Sequence, residues 1–273
     1  MNADSISAYL ADGFERKLFS AALQNLTDLD NKLRFNNFAY AMREVTRHVL
    51  HRRAPDDAVR ACCWFKPVDD KNTITRRQRA QYAVQGGLSD EYVRDRLKLD
   101  STEMYSMLGK QISNLSKHTH IEEETFDIPK EKADDYVEDM FSAMEDLFES
   151  IDLHREELAK RLYGSIDRRV LDEALNESMR ALDELATHHQ IDSLGLEDVR
   201  VTSIDHQRIW FQAGGNVDCT LQYGSASDRR GDNGAELEDS FPFTCMLWSP
   251  VGNPRAITID EGALRVDTES FFR

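Results

Sequence analysis

Proline is scarce in this 273-residue chain, at 6 residues, and glycine contributes only 13. That excludes collagen-like and proline-rich disordered architectures. No apolar run approaches the roughly 18 residues of a membrane-spanning helix, so no membrane role is expected. The first ten residues carry Asp4 and no basic side chain. They lack the positive start of a secretory signal, and a cytoplasmic location is the expectation. The four cysteines, Cys62, Cys63, Cys219 and Cys245, make no CxxC pair. This argues against a zinc knuckle or disulfide framework and for reduced, mostly buried thiols. What remains is a globular mixture, 40% hydrophobic and 31% charged, long enough for one large domain or two modest ones.

The net charge of -16 is unevenly spread. Residues 1–120 hold 19 basic and 15 acidic side chains, residues 121–200 hold 9 and 24, and residues 201–273 hold 6 and 11. Phosphate affinity comes largely from basic groups that release counterions, so a polyanion would bind within the first 120 residues. The acidic stretch reads as a solvated face or as a segment that repels or regulates such a ligand.

Apolar residues recur at steps of three and four over 5–29 and 33–50, which predicts two amphipathic helices. Further helices are expected over 57–65, 75–86, 89–97 and 100–118, then 130–151, 154–163 and 167–188. From 191 the pattern changes to short strands at 198–204, 207–213, 216–223 and 241–248, with a last one at 255–259 or 263–267. Ala213-Gly214-Gly215-Asn216 is expected to turn between two of them. The reading is an α+β protein: a helical bundle over 1–190 followed by a small, mostly antiparallel β domain over 191–273.

The sharpest chemical signal is Arg43-Glu44-Val45-Thr46-Arg47-His48. On a helix Arg43 and His48 diverge by about 140°, while Glu44 and His48 lie one turn apart on one face. Arginine offers several donors to phosphate oxygens, and histidine exchanges protons near neutral pH. Together they suit RNA cleavage without a metal or other cofactor. The plain alternative is a solvated helix face.

The Arg-x4-His spacing within a helical domain resembles the HEPN superfamily, whose members carry Arg-x4–6-His and are often metal-independent RNases acting as dimers. More closely, the stretches 34–44 (Arg34-Phe35-Asn36-Asn37 through Arg43-Glu44) and 221–230 (Leu221-Gln222-Tyr223-Gly224 through Arg229-Arg230) resemble a bacterial family of predicted nucleases associated with prokaryotic PIWI-like systems. The resemblance implies a role in defence against phage or plasmids, an RNA substrate and a homodimer or larger homo-oligomer. An inhibitory or activating partner would restrain a toxic RNase. It places Arg43 on phosphate and His48 as acid/base. Glu44 stands beside the motif arginine where many members have Asn, Asp or His. Asn37 would orient substrate or dimer, or else cap or pack its helix.

Other residues extend this reading. Lys117 and His120 close the 100–118 helix, where they cap its carbonyls or join Arg43 and His48 as a second cation and proton carrier. Arg47, Arg52, Arg76 and Arg77, with Lys71, Arg79, Tyr82 and Arg53, form a strip that tracks a phosphate backbone or simply solvates its helices. His118 and His120 lack a third metal ligand at any recognisable spacing, so no metal site is expected. His188-His189 reads as a helix C-cap. Two alternatives to an RNase stand. One is a non-catalytic sensor or scaffold in a defence complex. The other is a Mg-dependent DNA nuclease using Asp218, Asp228, Asp232 and Glu236.

Overall fold

The computed structural model describes residues 3–176, 180–186, 188–224 and 235–272, without the side chains at 176 and 180. The fold is α+β, a helical N-terminal region followed by a four-stranded antiparallel sheet. It divides into two compact units, Met1–His154 and Arg155–Arg273.

The first unit is built from α1 (Ala3–Tyr9), α2 (Phe14–Thr27), α3 (Arg34–Arg53), α4 (Asp56–Arg60), α5 (Arg76–Gln85), α6 (Asp90–Tyr92) and α7 (Thr102–His118). The start of α8 (Lys130–Asn176) completes it. The helix expected over 57–65 ends at Arg60, and the one expected over 89–97 passes into a π-helical turn, Val93–Leu97. α3 packs against α2, α5 and α7. Its apolar stripe, with Phe38, Met42, Val45 and Val49 each wholly buried, is the centre of a core shared with Leu108 and Ile112 of α7 and Met144 and Leu147 of α8. Trp64 lies in a smaller cluster with Val59 and Tyr82 and donates its indole N–H to the Gly86 carbonyl at 2.8 Å.

α8 is one helix of 47 residues where three were expected. No proline interrupts it, and its buried stripe runs unbroken through Met144, Leu147, Ile151, His154, Leu158, Leu162, Ile166 and Val170. The steps stay at three or four throughout, so burial carries the helix through Gly164 despite that residue's low propensity.

The second unit holds the rest of α8, α9 (Arg180–Asp183) and the strands β1 (His188–Ile204), β2 (Arg208–Tyr223), β3 (Ala235–Pro250) and β4 (Thr258–Val266). They form an antiparallel meander in the order β1-β2-β3-β4. The expected helix over 167–188 therefore stops earlier, and His188-His189 opens a strand instead of capping a helix. Nor does the chain turn at 213–216: β2 runs straight through it, pairing Gly215 with Leu196 and Phe243. Odd-numbered residues of β2 and β3, such as Ile209, Phe211, Cys219, Phe241 and Leu247, are buried, while the even-numbered face is open. The Tyr163 hydroxyl of α8 donates to the Leu196 carbonyl at 2.5 Å. Cys62, Cys219 and Cys245 are buried and Cys63 is exposed, all four outside any disulfide. No described helix is long and apolar enough to cross a membrane.

Candidate phosphate-binding cleft

Facing away from the core, α3 presents Arg43, Arg47 and His51 at successive steps of four. Each step turns about 40° around the helix, so the three form one stripe. α5 brings Arg76 and Arg79 opposite them, because the Thr75 hydroxyl accepts from Gln78 N at 3.2 Å and the Gln78 side chain accepts from Thr75 N at 2.9 Å. That reciprocal cap starts α5 immediately before Arg76. Between the two helices lies a cavity of about 470 Å³ lined by these five side chains and by Glu44, Thr46, Leu50, Ile74 and Ile112.

The charges are organised as well as concentrated. Glu44 is held between two arginines, at 2.8 Å from Arg47 Nε and 3.4 Å from Arg43 Nη2. Hydrogen bonding from Arg47, with the charges of both guanidiniums, holds its carboxyl below the ordinary range. Arg43 also lies over the Tyr40 ring, 5.5 Å from its centroid. Arg79 is buried, donating to the Ala54 carbonyl at 2.7 Å and to Asp56 at 2.6 Å. It therefore ties α5 to the end of α3 and contributes charge from below the cleft floor. Arg76 is exposed at the first turn of α5. Partial desolvation, then the charges of Arg79 and Arg47, push the pKa of His51 below its ordinary value. At neutral pH its imidazole is ready to accept a proton. The Thr46 hydroxyl is occupied, donating to the Met42 carbonyl at 2.9 Å.

Of the residues singled out in the sequence, Arg43, Glu44, Arg47, Arg76 and Arg79 share the cleft. His48 is not among its lining residues: its ring packs edge-on against Phe14, centroids 5.0 Å apart, and its Nε2 lies 3.1 Å from Arg47 Nη2. Arg52 grips the buried Glu15 through two bonds of 2.8 and 2.9 Å, binding α3 to α2. Arg77 points to another side of α5, over the Tyr105 ring and into a second cavity. Asn37 is exposed, whereas its neighbour Asn36 is the buried amide that donates to the His118 and Thr125 carbonyls. That bond sets the C-terminus of α7, with exposed Lys117 and His120, beside the start of α3. Asn36 precedes Arg43 by seven residues, about 10 Å of helix, so these two side chains belong to the end of α3 remote from His51. The spacing of four that unites Arg43, Arg47 and His51 was legible in the sequence, and His51 is the member that the Arg-x4-His pattern passes over.

In the β domain Asp218 accepts from the Ser193 hydroxyl at 2.5 Å and Glu236 accepts from Gln222. Asp228 and Asp232, with most of the 221–230 stretch, lie outside the described residues. No group of three His, Cys, Asp or Glu side chains that could hold a metal occurs among the described residues.

No curated protein and no solved structure matches the chain. Two family models do, each described as a predicted pPIWI-associating nuclease, one over residues 7–144 and the other over residues 151–272. The first covers the cleft and just over half of the chain, and the second covers the sheet. The chain thus belongs to the family of predicted nucleases associated with PIWI-like systems.

Proposed function

We propose that the protein is an endoribonuclease of a bacterial defence system, binding the RNA phosphodiester in the α3–α5 cleft and cleaving it with side chains alone. The observation that carries this reading is the convergence of Arg43, Arg47, Arg76 and His51 on one cavity. The cavity supplies cations and a proton acceptor, while the Thr46 hydroxyl is committed to Met42 and Glu44 to its arginines. RNA brings its own nucleophile. His51 takes the proton of the 2′-hydroxyl as its oxygen attacks phosphorus, and Arg43 and Arg76 stabilise the added charge. The bond to the 5′-oxygen breaks, leaving a 2′,3′-cyclic phosphate. The departing oxygen receives its proton from water or from an imidazole of a second subunit in a homodimer. This is Arg/His chemistry with His51 in the acid/base place and His48 positioning Arg47, and its Arg43-x7-His51 spacing departs from the Arg-x4–6-His of the HEPN pattern.

The test is RNA cleavage in the presence of EDTA. Arg43→Ala and His51→Ala are each expected to lower kcat/KM by about 100-fold or more, with folding unchanged by circular dichroism. His48→Ala is expected to lower it less than His51→Ala does. The rate should rise with pH through an ionisation below the ordinary imidazole value, since the neutral form of His51 is the base. Undiminished cleavage by Arg43→Ala and His51→Ala removes the proposal. A non-catalytic scaffold that binds phosphate is the second reading, favoured by the partial neutralisation of the cleft by Glu44. RNA binding without cleavage, lost in Arg43→Ala, distinguishes it.

A further inference from the structure

The open face of the sheet carries a second constellation. Trp210 and Trp248 are directly paired across β2 and β3, their ring centroids 6.4 Å apart. Each indole N–H is tied at its edge, Trp210 to Asp205 at 3.1 Å and Trp248 to Asp260 at 3.2 Å. Those bonds fix the rings without using their faces. The Arg208 guanidinium lies 4.1 Å from the Trp248 centroid and 5.5 Å from that of Trp210. Two residues along, the cross-strand row is Arg200, Gln212 and Met246, and the next row ends in Thr244 and the exposed Arg265.

We infer that this face is a stacking platform for single-stranded nucleic acid, the Trp210–Trp248 pair taking bases and Arg208 the adjoining phosphate. Bases offer flat π-faces to fixed aromatic rings, and a cation set against the same rings meets the charge that each nucleotide brings. The arginines near the pair supply that complementarity: Arg208 rests on the rings, and Arg265 stands on the same face. Arg200 is shared with Asp198 of its own strand. Asp205 and Asp260 anchor the indoles and keep their charge, so the phosphate contact falls to Arg208, which rests on the rings. A protein-binding surface would want an apolar centre. Here Met246 is the one extensively exposed large apolar side chain among the described residues of the β2–β3 open face, and its neighbours are Gln212 and Thr244. An open duplex end or loop exposes its bases for stacking, whereas an intact duplex hides them.

The test uses the full chain with Arg43→Ala and Arg76→Ala, so that the cleft is disabled and a failure of the RNase reading leaves this measurement intact. Fluorescein-labelled 12-mers of oligo(U) and oligo(dT), and a 12-bp duplex, are titrated and followed by anisotropy. At least one single strand is expected to bind tenfold or more tightly than the duplex, and the tighter of the two names the natural strand. Trp210→Ala with Trp248→Ala should weaken that binding tenfold or more, while the two Phe substitutions hold it within threefold. Arg208→Gln should reduce the slope of log Kd against log salt by about one. Should the alanine pair fail to fold, Arg208→Gln decides alone, and an unchanged affinity and slope overturn the inference. Equal binding of duplex and single strand overturns it too. So does an unchanged strand affinity in the alanine pair accompanied by altered self-association, which would identify a protein-facing surface.

Discussion

Glu44 occupies the position between Arg43 and Arg47 that an incoming phosphate oxygen would take. Its two ion pairs are partly exposed, at 27% and 49% for the arginines against 21% for the glutamate, so each is worth only about 0.2–1 kcal/mol. A phosphodiester, with charge-assisted bonds to the same donors, can displace a contact of that strength. Glu44→Gln keeps the shape and removes the competing charge. We expect RNA affinity measured by anisotropy to rise by about three- to tenfold at low salt, and the gain to shrink at high salt as screening weakens interactions between exposed charges. Unchanged or weaker binding would show that Glu44 serves to orient the arginines instead. The same residue shows what the sequence allows a reader to see. Its charge is plain, but whether it opposes the ligand or aligns its partners depends on side-chain geometry. His51 was legible in principle, because steps of four from Arg43 reach it, whereas the five-residue step to His48 turns the ring towards Phe14.

Among the elements, α5 is short and depends on its start. Thr75 and Gln78 satisfy each other's backbone N–H groups there. Thr75→Ala should cost about 1 kcal/mol, visible as a lowered thermal midpoint, and should weaken RNA binding because Arg76 and Arg79 follow directly. Thr75→Ser should restore both, and a Thr75→Ala protein as stable as the parent would mean that packing alone sets α5. A second element-level prediction concerns Gly215. A Cβ there would lie 1.9 Å from the Gly195 carbonyl oxygen, so Gly215→Ala must displace β1 from β2 and lower the midpoint well beyond the effect of Gly252→Ala, whose Cβ meets nothing within 4 Å. Gly-Gly-Asn carries the local signature of a turn. It is strand because a neighbouring backbone approaches too closely for a side chain, and β1 shifts register just there, between Leu196 and Asp198. That reason is tertiary and leaves no periodic trace. The periodic signals fared differently. Repeats of three and four located α3 and α7 to within a few residues, whereas the single helix expected over 5–29 is broken at Gly13, with positive φ, into α1 and α2. The helix-to-strand change announced the α+β class. The helices expected from the sequence leave gaps at 152–153 and 164–166, where the continuous buried stripe of α8 carries the helix through. His154 is in fact part of the buried stripe, its Nδ1 2.7 Å from the Ser150 carbonyl.

At the scale of the whole molecule, the chain carries 50 acidic against 34 basic side chains, yet its sensitivity to mild acid is expected to come from histidines with depressed pKa values, the buried His118 and His154 together with His51 of the cleft. His154 is depressed below its ordinary pKa by burial, and His118 by burial together with the charges of Lys132 and Lys117. The His118 ring lies against Phe35 and Tyr136, 4.9 and 5.0 Å away. The unfolded chain takes up these protons near the ordinary imidazole value of about 6.5, and the folded chain only at lower pH. Between the two values the unfolded state binds more protons, so stability rises with pH. The contribution is complete above about pH 6.5 and is lost as the pH falls through that value towards the lower folded one. Carboxylates such as Glu15, Glu44 and Asp56 are also depressed in the folded state. Their contribution stays in place until the pH approaches about 4. The interval from pH 7 to pH 5 therefore isolates the histidines. The urea midpoint should fall across that interval in the parent protein and fall less in His118→Phe or His154→Met, whose replacements are apolar and cannot titrate. If the parent's midpoint is flat from pH 7 to pH 5, the folded chain admits those protons as readily as the unfolded one. Neither buried ring would then be sealed from water as the packing requires.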